Sequence, residues 1–281
     1  MSSLDRMDYE EPRCFCDTEF YKEKSAVSPA KGHIRIDEMI AAVDRLYRRG
    51  DKAAIERVLE GYAAEAKALG DTRGELTAVN ELLGHYRMTA NREKGLSAVE
   101  RCTELLAMAQ IGGSVSAGTI LLNAATALRS FGESKRALTL YAEASRAYAD
   151  HLPPSDTRFA GLYNNMASAY EDEGEPERAE KYYQTALSIL GAHPDDTGCL
   201  LDATVTHLNL AELYTAHDPA DSRIAEHAEA AMKILSDEAL FDDYYYAHTA
   251  EKCADGFAYL GYFLFAEELK ERAASYYRER T

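Results

Sequence analysis

Cys14 and Cys16, near the N-terminus, form a C-x-C pair whose residue types and spacing suit metal chemistry. Thiolates bind zinc, but a structural zinc site needs four ligands, so two more must come from elsewhere in the chain. Cys253 and His248 are the candidates if residues 1–33 reach the last part of the chain. The alternative, which we favour, is an N-terminal segment that packs small apolar side chains against the rest of the protein. We therefore predict no metal and no other cofactor.

Motifs of the common enzyme classes are absent from the sequence. It contains no H-E-x-x-H string, no G-x-S-x-G elbow, no P-loop and no G-x-G-x-x-G string. Gly112-Gly113 precedes a predicted helix but lacks the Lys and the Ser or Thr of a phosphate-binding loop. His207 falls at a packing position between predicted helices, which favours a core histidine over a general base. We predict that the protein is not an enzyme.

Three asparagines recur at nearly constant spacing and have the chemistry of a peptide-binding surface. Asn123 and Asn165 are 42 residues apart, and Asn209 follows after another 44. An Asn amide offers one acceptor and two donors, which match the alternating groups of an extended peptide backbone. The same side chains can instead tie adjacent helices together, which would also explain why a poor helix former recurs in register. Both roles fit the sequence.

Arg87 and Arg129 are also 42 residues apart and can form bidentate hydrogen bonds with one anionic group, such as a carboxylate. Alternatively they are solvated residues at helix C-termini, where the macrodipole favours a cation. Six more polar residues complete the predicted lining of this surface: Asn80, Asn164, Thr126, Ser168, Glu171 and Glu212.

These spacings belong to a repeat of about 42 residues that covers most of the chain. Small residues recur where two helices approach closely, aromatic residues where the gap is wide, and Gly where the chain turns, as around Tyr163, Ala167 and Gly174. The pattern predicts six helix–turn–helix units that start near residues 36, 76, 118, 160, 204 and 247. Neither helix of a unit can bury its apolar stripe alone, so neighbouring units must stack. We predict an all-α repeat domain over residues 34–281, preceded by an irregular or docking segment over residues 1–33.

The repeat resembles the tetratricopeptide repeat (TPR), in the long variety of about 42 residues found in kinesin light chains and many bacterial regulators. The resemblance covers about residues 36–281 and rests on the matching strings around Leu121, Tyr163 and His207. It departs from the consensus in its large aromatic residue, present only as Tyr163, and in its irregular closing Pro. The resemblance implies a right-handed α-solenoid whose first helices line a concave groove, where an Asn ladder would hold the main chain of a peptide.

The composition limits the partners. The formal net charge is −17, from 48 acidic and 31 basic residues, and no concentrated basic patch offsets it, so we predict no binding to nucleic acid. No apolar stretch approaches a membrane span, and the first residues do not read as a signal peptide. Five scattered cysteines predict reduced thiols rather than a disulfide framework. We expect a cytoplasmic protein that does not bind membranes.

The function expected from these observations is a scaffold or adaptor that binds an extended protein segment in the groove. One alternative is a sensor of a small regulatory peptide that acts through a partner, and another is an enzyme or enzyme subunit that uses groove or cysteine residues. The aromatic stretch from Tyr244 to Phe265 predicts either a dense final core or a homodimer interface. Residues 1–33 are expected to dock on the array or to occupy its groove.

Overall fold

The computed structural model describes residues 31–48, 51–241 and 243–278. Cys14, Cys16 and most of the predicted N-terminal segment lie outside these residues. The described residues form 12 α-helices and one short 3-10 helix, and they contain no strand. They divide between Pro153 and Pro154 into two compact units.

The N-terminal unit, residues 31–153, contains three helix pairs. Its helices are α1 (Ile36–Arg48), α2 (Lys52–Leu69), α3 (Thr72–Met88), α4 (Arg92–Ala109), α5 (Val115–Ser130) and α6 (Ser134–Ala149).

The C-terminal unit, residues 154–278, contains three more pairs. Its helices are α7 (Arg158–Asp172), α8 (Pro176–Leu190), α9 (Thr197–His217), α10 (Arg223–Leu235), α11 (Tyr244–Tyr259) and α12 (Phe263–Arg278), and the 3-10 turn Glu238–Leu240 follows α10. The prediction of six helix–turn–helix units in an all-α fold is therefore confirmed.

Side-chain caps explain where four of the six first helices begin, namely α3, α5, α9 and α11. These helices begin at the predicted repeat start or up to seven residues before it, and α9 differs most because it begins at Thr197 rather than near 204. The Asp196 carboxylate accepts a hydrogen bond from the Cys199 backbone N–H at 2.9 Å, and Asp71 caps α3 in the same way. The repeat register marks where helices pack, whereas the cap marks where hydrogen bonding starts.

The alternation of small and aromatic residues forms the core of each pair. In α8, Ala179, Tyr183 and Ala186 have no exposed surface, and Ala137, Tyr141 and Ala144 in α6 are buried to the same extent. Alanines let the paired helices approach closely, while the tyrosine rings fill the wider gaps. None of the helices in the described part of the chain is long and apolar enough to span a membrane.

Candidate functional site

An asparagine pair joins the first helices α3 and α5 of the N-terminal unit. Asn123 donates a hydrogen bond from its Nδ2 atom to Oδ1 of Asn80 at 3.1 Å. Asn80 is buried, whereas Asn123 is half-buried. Among the described residues, Asn123 makes no hydrogen bond through its Oδ1 or its second amide hydrogen. The Asn123 amide, fixed by its bond to Asn80, therefore keeps one N–H donor and its Oδ1 acceptor for hydrogen bonds to another molecule.

Glu81 follows Asn80 on α3 and is half-buried. Burial raises the pKa of the Glu81 carboxyl to about 7, and the negative charge of Asp44 on α1 raises it further in the same direction. Among the described residues, no positive charge compensates this carboxylate. A cation that binds beside it would favour the charged form and lower its pKa.

In the C-terminal unit the equivalent amides are buried between helices. Asn209 on α9 donates from Nδ2 to Oδ1 of Asn164 on α7 at 3.1 Å. Asn164 has no exposed surface, and Asn165 and Asn209 are 1% and 3% exposed. The Nδ2 atom of Asn164 is buried and has no hydrogen-bond partner among the described residues. These amides tie α7 to α9, and their contact with a peptide stays a prediction.

The predicted lining residues Thr126 and Ser168 are also buried, and each meets a tyrosine of the paired helix. Thr126 Oγ1 lies 3.1 Å from Oη of Tyr141, and Ser168 Oγ lies 2.8 Å from Oη of Tyr183. Tyr183 also donates to the Glu171 carboxylate at 2.5 Å. The hydroxyls at this repeat position therefore satisfy the buried polar ends of the tyrosines.

The other predicted groove residues differ in exposure. Arg87 and Arg129 both lie in the last turn of their helices, α3 and α5, where a cation is favourable. Arg129 is buried, while Arg87 on α3 and Glu212 on α9 are half-buried. That these three residues bind a ligand stays a prediction.

His207 lies between α9 and α10, as its sequence position indicated, but its partner was not predicted. Its Nδ1 atom is 2.8 Å from Nδ1 of His227. Burial, together with the nearby His227, lowers the pKa of His207 to about 4, and burial lowers that of His227 as well. Tyr214 stacks on His227 with 5.7 Å between ring centroids. The pair forms a neutral polar bridge between the two helices.

The three described cysteines lie in the core, where they pack as apolar side chains rather than react as nucleophiles. Cys102, Cys199 and Cys253 are free and buried. Burial raises the pKa of each thiol, that of Cys199 to about 12, so the thiolate form is disfavoured at neutral pH. Within residues 31–48, 51–241 and 243–278, no three His, Cys, Asp or Glu residues are grouped to hold a metal ion.

An open cavity of about 520 Å³ lies between α4, α5 and α6. Its lining combines apolar residues, such as Leu106 and Leu121, with the charged residues Glu143, Arg146 and Asp150. None of the predicted site residues lines it.

No protein-family model matches this sequence, and no curated protein matches it. Solved structures do match its fold. BtubC (BKLC) from P. vanneervenii is 21% identical, with 85% of this chain and 92% of that chain covered and a TM-score of 0.53. A putative kinesin light chain from Podosopora anserina, with nearly identical TPR-like repeats, is 16% identical over 75% of this chain and 97% of that chain, with a TM-score of 0.50. The apo form of RapI is 13% identical, with 85% of this chain and 96% of that chain covered and a TM-score of 0.50.

At these identities the similarity shows the fold and not the activity. The chain has a TPR-like repeat fold, and the predicted resemblance is confirmed.

Proposed function

We propose that this protein is a protein-interaction scaffold whose N-terminal unit binds an extended peptide segment across α3 and α5. The observation that carries the proposal is the Asn80–Asn123 pair, in which Asn123 is held by one hydrogen bond and keeps a donor and an acceptor for a ligand. A peptide main chain presents N–H and C=O groups in alternation and can bind both. The TPR-like fold supports a binding role, and burial of Cys102, Cys199 and Cys253 argues against chemistry at these three thiols.

The Asn80–Asn123 pair is preorganised for peptide binding. The bond to Asn80 restricts the Asn123 side chain before a ligand arrives, so less rotamer entropy is lost on binding. Each hydrogen bond to the peptide contributes about 0.5–1.5 kcal/mol. Two such bonds add specificity for an extended main chain but not high affinity, so side chains of the peptide must contribute the rest.

Glu81 indicates which type of peptide side chain contributes this additional affinity. Its carboxyl is half-buried with a raised pKa, and Asp44 adds a second negative charge. A Lys or Arg of the bound segment, placed beside Glu81, would compensate the charge of Glu81 and offset the effect of Asp44 on it. The preferred ligand is therefore an extended segment with a basic residue. The equivalent amides of the C-terminal unit are buried, so the proposal is limited to the N-terminal unit.

The test begins with peptides selected against the wild-type protein from a random displayed library, followed by fluorescence anisotropy on purified variants. Asn123→Ala should weaken binding about tenfold, and Glu81→Gln should weaken binding of peptides that carry Lys or Arg. Asn209→Ala is the matched control, because it removes the same type of amide bond from the other unit. Circular dichroism checks that each variant is folded. Equal affinity in wild type and Asn123→Ala, or an equal loss in the control, would contradict the proposal.

The same peptides distinguish a scaffold from a sensor of small free peptides. A scaffold recognises an internal segment, so blocking both peptide termini should leave the affinity unchanged. If full affinity needs a short peptide with a free terminal carboxylate or amine, the sensor alternative is the better description.

A further inference from the structure

Nearly all of the net charge belongs to the C-terminal part of the chain. Residues 154–281 contain 25 acidic and 10 basic residues, a formal charge of −15. Residues 31–153 contain 16 acidic and 17 basic residues, a formal charge of +1. A field of one sign on one unit attracts partners of the opposite sign to that unit.

The repeat register identifies which face of α11 is open. Ala211 and Tyr214 on α9 correspond to Ala254 and Phe257 on α11, 43 residues later, and all four are buried. The two helices therefore present equivalent faces at an offset of 43.

On α9, the face that holds α11 is apolar. Leu201, Val205 and Leu208 are buried there and pack in one cluster with residues of α11 that include Tyr246 and Ala250. Through these contacts the first helix α9 stacks on the next first helix, α11.

The same three positions on α11 are Tyr244, His248 and Glu251, and the helix face continues with Asp255 and Tyr259. Tyr244 is 63% exposed and Tyr259 is 47% exposed, and both acidic side chains are exposed. Among the described helices, α11 packs mainly on α9, α10 and α12, and this packing leaves Tyr244, Glu251, Asp255 and Tyr259 exposed. We call these five residues the α11 face.

The α11 face has aromatic residues at its ends and acidic residues between them. At one end the Tyr244 ring lies 6.5 Å from the ring centroid of Tyr276 and 6.4 Å from that of Tyr277 on α12. At the other end the turn after Tyr259 presents Phe263 and Leu264, which are 66% and 90% exposed. Lys270 lies 3.2 Å from Asp255 and offsets part of the charge.

We propose that the α11 face is a second docking surface, which takes an amphipathic helix of a partner protein that carries Lys or Arg. The partner helix lies along this exposed face, with basic side chains opposite Glu251 and Asp255 and apolar side chains against Tyr244 and Tyr259. The face is 16 residues long, or about 24 Å, which matches a partner helix of four to five turns. Exposed tyrosine rings also suit contact with an Arg guanidinium.

A second copy of the chain fits this face poorly. A symmetric contact would bring Glu251 and Asp255 toward the same residues of the other copy, on units of formal charge −15 each. Like charges placed opposite each other oppose association. The homodimer expected as one possibility from the aromatic sequence is therefore the competing occupant to be tested.

The probe is a synthetic 16-residue helical peptide with Leu on one face and Lys along both edges, whose binding is measured by fluorescence anisotropy near physiological salt. Glu251→Lys/Asp255→Lys should weaken binding at least about tenfold. Asp195→Lys/Glu229→Lys is the matched control, because both residues are exposed on the same unit and the net charge changes equally. The control should lose less than about twofold.

Charge reversal in the peptide supplies the second measurement. A peptide with Glu in place of Lys should bind the Glu251→Lys/Asp255→Lys variant better than it binds the wild type. Equal losses in the two double variants, or no binding of the Lys peptide to wild type, would overturn the proposal. So would a wild-type dimer in analytical ultracentrifugation that Tyr244→Ser dissociates. Asn123→Ala should leave the binding of this probe unchanged, so failure here is separable from failure of the groove site.

Discussion

His207 and His227 face each other through their Nδ1 atoms at 2.8 Å, a hydrogen-bond distance that requires one ring to donate and the other to accept. Two protonated rings cannot keep this contact, since both Nδ1 atoms would then carry hydrogens. The bridge between α9 and α10 therefore depends on pH.

The His207–His227 bridge predicts loss of stability in acid. The pKa of His207 is lowered to about 4 in the folded protein, compared with 6.5 for a free histidine, so the unfolded chain binds the proton first as the pH falls. Stability contributed by this pair should be present above pH 6.5 and decline toward pH 4, by about 1–3 kcal/mol. Urea unfolding at several pH values measures this decline. His207→Tyr, which places the residue type of the equivalent Tyr163, should flatten it; an unchanged pH dependence would contradict the assignment.

Glu81 predicts a pH effect of the opposite sign. Its folded pKa is raised to about 7, so the folded protein holds the proton more tightly than the unfolded chain does, and stability falls as the pH rises from 4.5 past 7. Glu81→Gln should therefore increase the free energy of unfolding at pH 8 by about 1–2 kcal/mol, with no gain near pH 4. Chemical unfolding of wild type and variant at both pH values measures the difference. An equal gain at both would show that charge is not the cause.

The two asparagine bridges should differ in their contribution to stability. Asn209→Ala leaves Oδ1 of fully buried Asn164 without its donor, which should cost about 1–3 kcal/mol. Asn123→Ala leaves Oδ1 of buried Asn80 without its donor, but removal of the half-buried Asn123 side chain opens a path for water to this oxygen, so about 1 kcal/mol or less is expected. Thermal or urea unfolding compares the two variants. A larger loss for Asn123→Ala would contradict the burial argument.

Two helical glycines offer a matched pair of substitutions. A Cβ atom at Gly118 would lie 2.7 Å from Cδ1 of Tyr148, a fully buried ring, so Gly118→Ala should cost about 1–3 kcal/mol. A Cβ atom at Gly84 meets nothing within 4 Å, so Gly84→Ala should stabilise α3 by about 0.5–1 kcal/mol through higher helix propensity. Shifts of the unfolding midpoint in opposite directions are expected, and shifts of the same sign would contradict the packing at Gly118.

The sequence by itself determined the repeat period, the twelve helices and their pairing. Apolar spacing and local turn chemistry determine these features, because both act over short stretches of chain. Gly132 and Gly174, which the period places between paired helices, adopt φ values of 80° and 73°, where a side chain would be strained. The alanines and tyrosines at fixed positions of the repeat, such as Ala179 and Tyr183, likewise lie in the core as their spacing predicted.

Only the tertiary structure decided how the recurring polar residues are used. Asn123 and Asn209 occupy the same repeat position and make the same bond to the preceding first helix, yet one is half-buried and the other buried. The contact of His207 with His227 and the open face of α11 were equally invisible in the repeat pattern. Sequence spacing sets which residues share a helix face, but the exposure of that face depends on how closely the next helix packs against it. That packing is set by side chains distant in sequence, which periodicity alone does not encode.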